Sequence, residues 1–214
     1  MKASRSVVLI IAAVMVGSAC QRRELISFYK VPFSCQAVNS IGCGSHAKPL
    51  LKALAVNSGI SEARINHQGT IIAIVWKEAP SLSVIGEVFS PFNVPVDELM
   101  GEAHEEAAAG WVNRDDWLTS AQVDQLNLEE AEVLTGRLMK SLMNNNVIKD
   151  TATIGPMSNQ IKDVFVEYLL NHDPYSTRDD SDLKSLEKKI FEIGEAHFGK
   201  DKMPPVGIRR FDKH

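Results

Sequence analysis

Apolar and polar residues along this chain follow three patterns. The first is an unbroken apolar run, Val7 to Val16, behind a start carrying Lys2 and Arg5. The second begins at Leu25, where short apolar and β-branched stretches alternate with helix-spaced ones. Leu25-Ile26-Ser27-Phe28-Tyr29-Lys30-Val31 predicts a strand that ends near Pro32. Ser34 to Gly42 reads as a loop. A helix follows from Gly44 or Ser45 through about Val56, because Ala47, Leu50, Leu51, Leu54 and Ala55 recur at the spacing of one buried face. Pro49 falls near its first turn, where a helix tolerates proline. Ile60 to His67 alternates as a second strand, Gln68-Gly69 is a tight turn, and Thr70 to Trp76 is nearly continuous in apolar residues. The last two strands form a hairpin, with Thr70–Trp76 central in the sheet.

Pro80-Ser81 predicts the start of a second helix through about Phe89, and Val94 to Leu99 reads as a short strand. Pro95 places that strand at an edge, since proline has no N–H for a ladder. The order from 25 to 100 is then βαββαβ, an α+β arrangement of the ferredoxin-like kind. It predicts a four-stranded antiparallel sheet with two helices on one face. The third pattern begins after Met100 and is helical to about Gly199. Glu102 to Trp111 is rich in alanine and glutamate. Asn127 with Glu130 resembles a capping-box start for a helix to about Met143. Pro156 sits in the first turn of another helix that stops before Asp173-Pro174. Ser181 or Asp182 caps a last one ending near Gly199, and an irregular tail follows Met203. The chain therefore divides into residues 1–19, a tether at 20–24, a mixed domain at 25–100 and a helical C-terminal region at 101–214.

The apolar run has the basic start, the length and the small flanking residues of a secretory signal peptide, and falls short of the roughly 20 residues a spanning helix needs. Gly17-Ser18-Ala19-Cys20 resembles the lipobox of bacterial lipoproteins. The resemblance implies cleavage before Cys20, a diacylglyceryl group on its sulfur, an acyl chain such as palmitate, and a protein held to the bacterial cell envelope through lipid. Gln21 replaces the aspartate linked to inner-membrane retention in such lipoproteins, which favours an outer-membrane position facing the periplasm. The formal charge of −4 becomes −6 once Lys2 and Arg5 are removed. A mildly acidic body without a basic cluster argues against nucleic acid as a partner.

Lipidation also settles the cysteine arithmetic. Of three cysteines, it takes Cys20 and leaves Cys35 and Cys43 around one loop. In an oxidising compartment such a pair suits a structural disulfide. Cys43 also stands at the head of a helix, where free N–H groups favour a thiolate, and thiolates are ligands for soft metals. His46 is one helical turn beyond Cys43 and reaches the same point in space. A disulfide, a metal site of Cys35, Cys43 and His46, and a redox-active thiol pair are all compatible with this arrangement.

The text Ile41-Gly42-Cys43-Gly44-Ser45-His46-Ala47-Lys48, with Leu50, Leu54, Gly59-Ile60, Ala63 and Gly69-Thr70-Ile71, resembles the heavy-metal-associated domain of copper chaperones and mercury-binding periplasmic proteins. Cys43 matches the second cysteine of that family's Cys-x-x-Cys. Ser40 stands where the first would be, and Cys35 lies eight residues before Cys43. The resemblance implies Cu(I), or another soft ion such as zinc or mercury, as the bound group.

Elsewhere the chemistry is sparse. Glu102, His104, Glu105 and Glu106 are similar to a carboxylate–imidazole metal site, but Ala108 stands where a zinc hydrolase has its second histidine. His67 reads as a solvated hairpin residue. The chain has no nucleophile elbow, phosphate-binding glycine loop or Rossmann fingerprint, so the expectation is a non-enzymatic protein. It either binds a soft metal at the membrane surface or, with Cys35 and Cys43 as a disulfide, serves as an interaction module for an envelope protein partner. If the lipobox is used, Cys20→Ser abolishes incorporation of labelled fatty acid; persistent labelling would refute the anchor.

Overall fold

The computed structural model describes residues 24–35, 40–145, 147–148, 154–175 and 181–199. The signal segment, Cys20, Asp179-Asp180 and the tail from Met203 lie outside them. No helix among the described residues is long and apolar enough to cross a membrane.

The elements in chain order are β1 (Leu25–Lys30), α1 (Gly44–Ala55), β2 (Ile60–Asn66), β3 (Ile71–Trp76), α2 (Leu82–Phe89), α3 (Gly101–Trp111), β4 (Trp117–Leu118), α4 (Asp124–Asn144), α5 (Ile154–Asn171) and α6 (Ser181–Phe198). The four strands form one antiparallel sheet ordered β1-β3-β2-β4. This corrects the ferredoxin-like expectation. The fourth strand is Trp117–Leu118, and it lies on β2 at the far edge from β1. Val94–Leu99 forms only an isolated bridge, Glu98 opposite Tyr29. Pro95 can donate nothing, and the segment is held by two hydrogen bonds, Lys30 N–H to Asp97 O at 2.8 Å and Leu99 N–H to Phe28 O at 2.8 Å.

Alternation along the strands separates two cores. Tyr29, Ala63, Ile65, Ile72, Ile74 and Trp76 face α1 and α2, where Leu50, Leu51, Leu54, Ile85 and Phe89 close the layer. A bulge between Ile60 and Glu62 keeps Ile60 on that side too. The opposite face carries Phe28, Ala73 and Val75 under Ala107 and Trp111 of α3, with Trp117 beside them. Both faces are therefore covered, where the sequence pattern suggested one. Residues such as Val75 and Ala73 explain why β3 reads as continuously apolar: it has no solvent side.

Behind α1 lies a third layer. Helix α4 packs on α5 and α5 on α6, around Leu134, Met139, Leu142, Ile161, Phe165, Leu169, Leu186 and Ile190. The layer is tied to the sheet domain through α1, which touches both α4 and α5, and by Lys48 to Asp124 at 2.5 Å. The start of α4 differs from the capping-box expectation. Thr119 and Gln122 form the preceding turn, with Thr119 N–H and Oγ donating to Gln122 Oε1 at 3.1 and 2.9 Å. The helix then begins at Asp124, and Val123 and Leu126 are fully buried against the first core. Asn127 and Glu130 become buried interior residues of α4 instead of its cap.

Past β1 the chain continues along the β2–β3 turn. Val31 N–H donates to Thr70 O at 2.8 Å, Phe33 N–H to Gly69 O at 3.0 Å, and Gly42 N–H to His67 O at 2.7 Å. Gly69 has φ +71, and a Cβ there would lie 2.4 Å from Phe33 O and 2.6 Å from the Cα of Gly42. A Cβ on Gly42 would in turn meet Gly69 Cα at 2.8 Å. Two backbones touch here with no side chain between them. Gly69→Ala should therefore destabilise the protein by about 2–4 kcal/mol, measured as a lower denaturation midpoint; an unchanged midpoint would contradict the close approach.

Candidate functional site

Cys43 is the N-cap of α1, in extended conformation with φ −89 and ψ 105. It is reached from two sides. Ser34 bridges Gly42, Cys35 N–H donates to Ile41 O at 2.9 Å, and Cys43 N–H donates to Phe33 O at 2.6 Å. This short antiparallel ladder returns the chain beside itself just before the helix. On the other side α4 presses in, because Gly44 has no side chain: a Cβ there would sit 2.5 Å from Asn127 Oδ1 and 2.7 Å from Val123 O. The Gly-Cys-Gly text thus lets the β2–β3 turn and α4 close on Cys43, leaving it 5% exposed.

The Cys43 sulfur lies 3.0 Å from His46 Nδ1 and 3.2 Å from Ser45 Oγ. The helical spacing of residues 43 and 46 read from the sequence does bring thiol and imidazole together. The His46 ring packs between Phe33, at 6.5 Å between centroids, and Tyr175, at 5.9 Å and edge-on. Tyr175 Oη donates to His46 O at 3.1 Å, and its ring rests on Phe92 at 5.0 Å. Tyr175 follows α5 and is 129 residues from His46, so no sequence spacing announced it.

Cys35 is 2% exposed and projects with Ile41 into the core of α4–α6. Cys35 and Cys43 are separate thiols among the described residues. The ladder register explains this. Cys35 stands opposite Ile41, so Cys43 is its diagonal neighbour, at a Cα separation of roughly 7–8 Å. A disulfide spans about 4.4–6.8 Å, so closing one needs the ladder to shift.

Charge works against a resting thiolate here. Burial first, then the Glu130 carboxylate, push the Cys43 thiol up from 9.0 to about 12, while hydrogen bonds from Ser45 and His46 oppose the rise and Cys35 adds to it. The helix N-terminus that predicts a favoured thiolate is outweighed by desolvation. Burial, Cys43 and Asp173 raise the Tyr175 phenol in the same way. At neutral pH the sulfur therefore holds its proton, 3.0 Å from the imidazole nitrogen and 3.2 Å from the Ser45 hydroxyl. Among the described residues no group of three His, Cys, Asp or Glu side chains has the arrangement of a metal cage. What the site offers is two close soft or borderline donors, with a second thiol and a carboxylate nearby.

Two other histidines are occupied elsewhere. His67 bridges Glu129 at 2.9 Å and Ser40 O at 3.3 Å, joining the hairpin to α4 instead of facing solvent alone. His104 lies edge-on to Phe28 at 5.2 Å.

The raised thiol has a consequence for stability. In the unfolded chain it ionises near 9, whereas the folded protein retains the proton to about 12. This contribution is complete below pH 9 and is lost as pH rises toward 12, at about 1.4 kcal/mol per pH unit. Denaturation across that range should show a slope shallower by one proton in Cys43→Ser than in the natural protein. Equal slopes would rule out a buried, protonated thiol. In comparisons with protein-family models, curated proteins and solved structures, nothing matches this chain.

Proposed function

We propose that this protein binds a soft metal ion, Cu(I) before others, at Cys43 and His46, with Cys35 as the nearest additional thiol. It does so without catalysis, as a lipid-anchored protein of the bacterial envelope. The observation that carries the reading is the 3.0 Å approach of the Cys43 sulfur to His46 Nδ1 at a sealed helix start. A cation takes the place of the thiol proton and binds between these two atoms. With metal–sulfur and metal–nitrogen distances of about 2.3 and 2.0 Å, a linear two-donor Cu(I) would part the donors to about 4.3 Å, and a trigonal one using Cys35 to about 3.7 Å, so the imidazole must swing outward from 3.0 Å.

Net charge favours a monovalent ion. One thiolate, one neutral imidazole and Cu(I) sum to zero, which suits a site almost without water. A divalent ion such as Zn²⁺ or Hg²⁺ needs a second negative charge beyond the two donors, from the nearby Glu130 carboxylate or from ionised Cys35. A nucleophilic role fits less well, because reactive thiols are exposed and easily ionised, and Cys43 is neither. The Gly-Cys-Gly-Ser-His text resembling heavy-metal-associated domains agrees with this reading. So does a signal segment that delivers the chain to the envelope.

Titration of the reduced, purified protein with Cu(I) against a competing chelator should give one tight site. X-ray absorption should then show sulfur and nitrogen scatterers. Cys43→Ser is expected to weaken binding at least about a hundredfold, and His46→Ala to remove the nitrogen scatterer. Binding unchanged by Cys43→Ser refutes the proposal. Two sulfurs that become reactive only after reduction would favour the disulfide-bearing interaction module instead.

A further inference from the structure

The face of the sheet turned away from α1 holds a cavity of about 880 Å³, within the size range of sites that enclose small molecules. Its floor is set by strand register. Lys30 stands opposite Ile71 on β3, Ile72 opposite Ile65 places Ile71 beside Asn66, and Asn66 stands opposite Trp117. Lys30, Ile71, Asn66 and Trp117 therefore form one row across all four strands. By alternation they share the face of Phe28 and Ala73.

Phe28 in the neighbouring row and Trp117 at the β4 end of this one are packed with Trp111, ring centroids 5.3–6.3 Å apart. The stretch from Lys30 to Asn66 is left open. Above it α3 presents Ala103, Ala107 and Gly110, and a Cβ at Gly110 would meet no atom within 4 Å. Small residues at helical spacing thus leave a roofed space where larger ones would have closed it.

The polar groups of the walls are mostly committed. Asn66 Oδ1 accepts from Thr70 N–H at 2.8 Å and Ile71 N–H at 3.0 Å, and Trp117 Nε1 donates to Gly110 O at 3.1 Å. Three charges remain to face a ligand. Lys30 lies toward the β1 side, Asp116 precedes Trp117 on the β4 side, and Glu106 comes from the roof. The Lys30 ammonium and Glu106 carboxylate have no hydrogen bond or ion pair with another described residue. Asp116 accepts one hydrogen bond, from Asn113 at 2.8 Å.

Three strand spacings of about 4.8 Å separate β1 from β4, so the row is roughly 14 Å long. Its ends carry opposite charge and its middle, with Ile71 and Leu99, is apolar. A fatty acid leaves the carboxylates unused, a nucleotide is repelled by them, and a polyamine is repelled by Lys30. We propose that this cavity binds a short zwitterionic peptide of two or three residues, with its carboxylate at Lys30, its ammonium at Glu106 and Asp116, and an apolar side chain on Ile71 and Trp117. The site lies on the other side of the sheet from Cys43 and does not depend on metal binding.

Calorimetry with the tripeptide Ala-Leu-Ala and its N-acetylated, C-amidated and doubly blocked forms tests this on the intact protein. The unblocked peptide should bind saturably. C-amidation and Lys30→Met should each weaken binding about tenfold or more, and together no further, because both remove one contact. N-acetylation and the double variant Glu106→Gln/Asp116→Asn should behave as a second such pair, because both carboxylates hold the ammonium. Gly110→Leu, which fills the space while improving helix propensity, should abolish binding with the circular dichroism spectrum unchanged. Absence of saturable binding at millimolar peptide overturns the proposal. Equal binding of the doubly blocked form, or binding retained in Gly110→Leu, overturns it as well.

Discussion

The backbone contact between Gly42 and Gly69 is the constraint on which the rest of this structure depends. With no Cβ on either residue, the chain entering α1 lies directly on the turn joining β2 to β3. That contact fixes the height at which Cys43 starts the helix. It also orients α1 over the sheet, so that Leu50, Leu51 and Leu54 meet Tyr29, Ile65 and Ile74. Gly44 repeats the device one step later and admits Asn127 and the backbone of α4. Between the two glycines a thiol becomes almost fully buried beside an imidazole.

Burial decides the chemistry of that thiol more than helix position does. A sulfur at a helix start in water tends toward the thiolate, because N–H groups point at it. Here the loss of water and the Glu130 carboxylate outweigh those N–H groups, and the proton stays on. A buried thiol that keeps its proton is a poor nucleophile. The ring of Tyr175 over His46 adds to the seal. Aromatic packing and electrostatics therefore point the same way.

The sheet joins two unlike faces. Toward α1 and α2 it presents Ile65, Ile72, Ile74 and Trp76, which interdigitate with two amphipathic helices and leave no room. Toward α3 it presents aromatics at one end and a row of mixed character at the other, under a helix whose facing residues are small. The short strand Trp117–Leu118 serves both faces. Leu118 completes the first core, while Trp117 packs on Phe28 and Trp111 in the second.

Local periodicity made much of this legible. Strands β1 to β3 and helices α1, α2, α5 and α6 lie where their apolar spacing places them, because each buries one face and its pattern repeats within a few residues; α3 lies where its alanine and glutamate content places it. The pairing of Cys43 with His46 was legible for the same reason, since one helical turn separates them. Other features have no local period. A two-residue strand at Trp117–Leu118 cannot alternate visibly, and Val94–Leu99 looks like a strand but finds only one bridge. Asn127 and Glu130 carry a capping pattern that Val123 and Leu126 override by burying into the first core. Glu130 and Tyr175 reach the thiol from far along the chain, and the cavity beside Lys30 exists only because four strands and α3 meet there. The sequence by itself thus determined the helices and the three longer strands, and that a thiol and an imidazole share a helix turn. The tertiary structure alone decided strand order, the protonated state of Cys43 and the charged cavity, because each depends on desolvation and contact between residues distant in the chain.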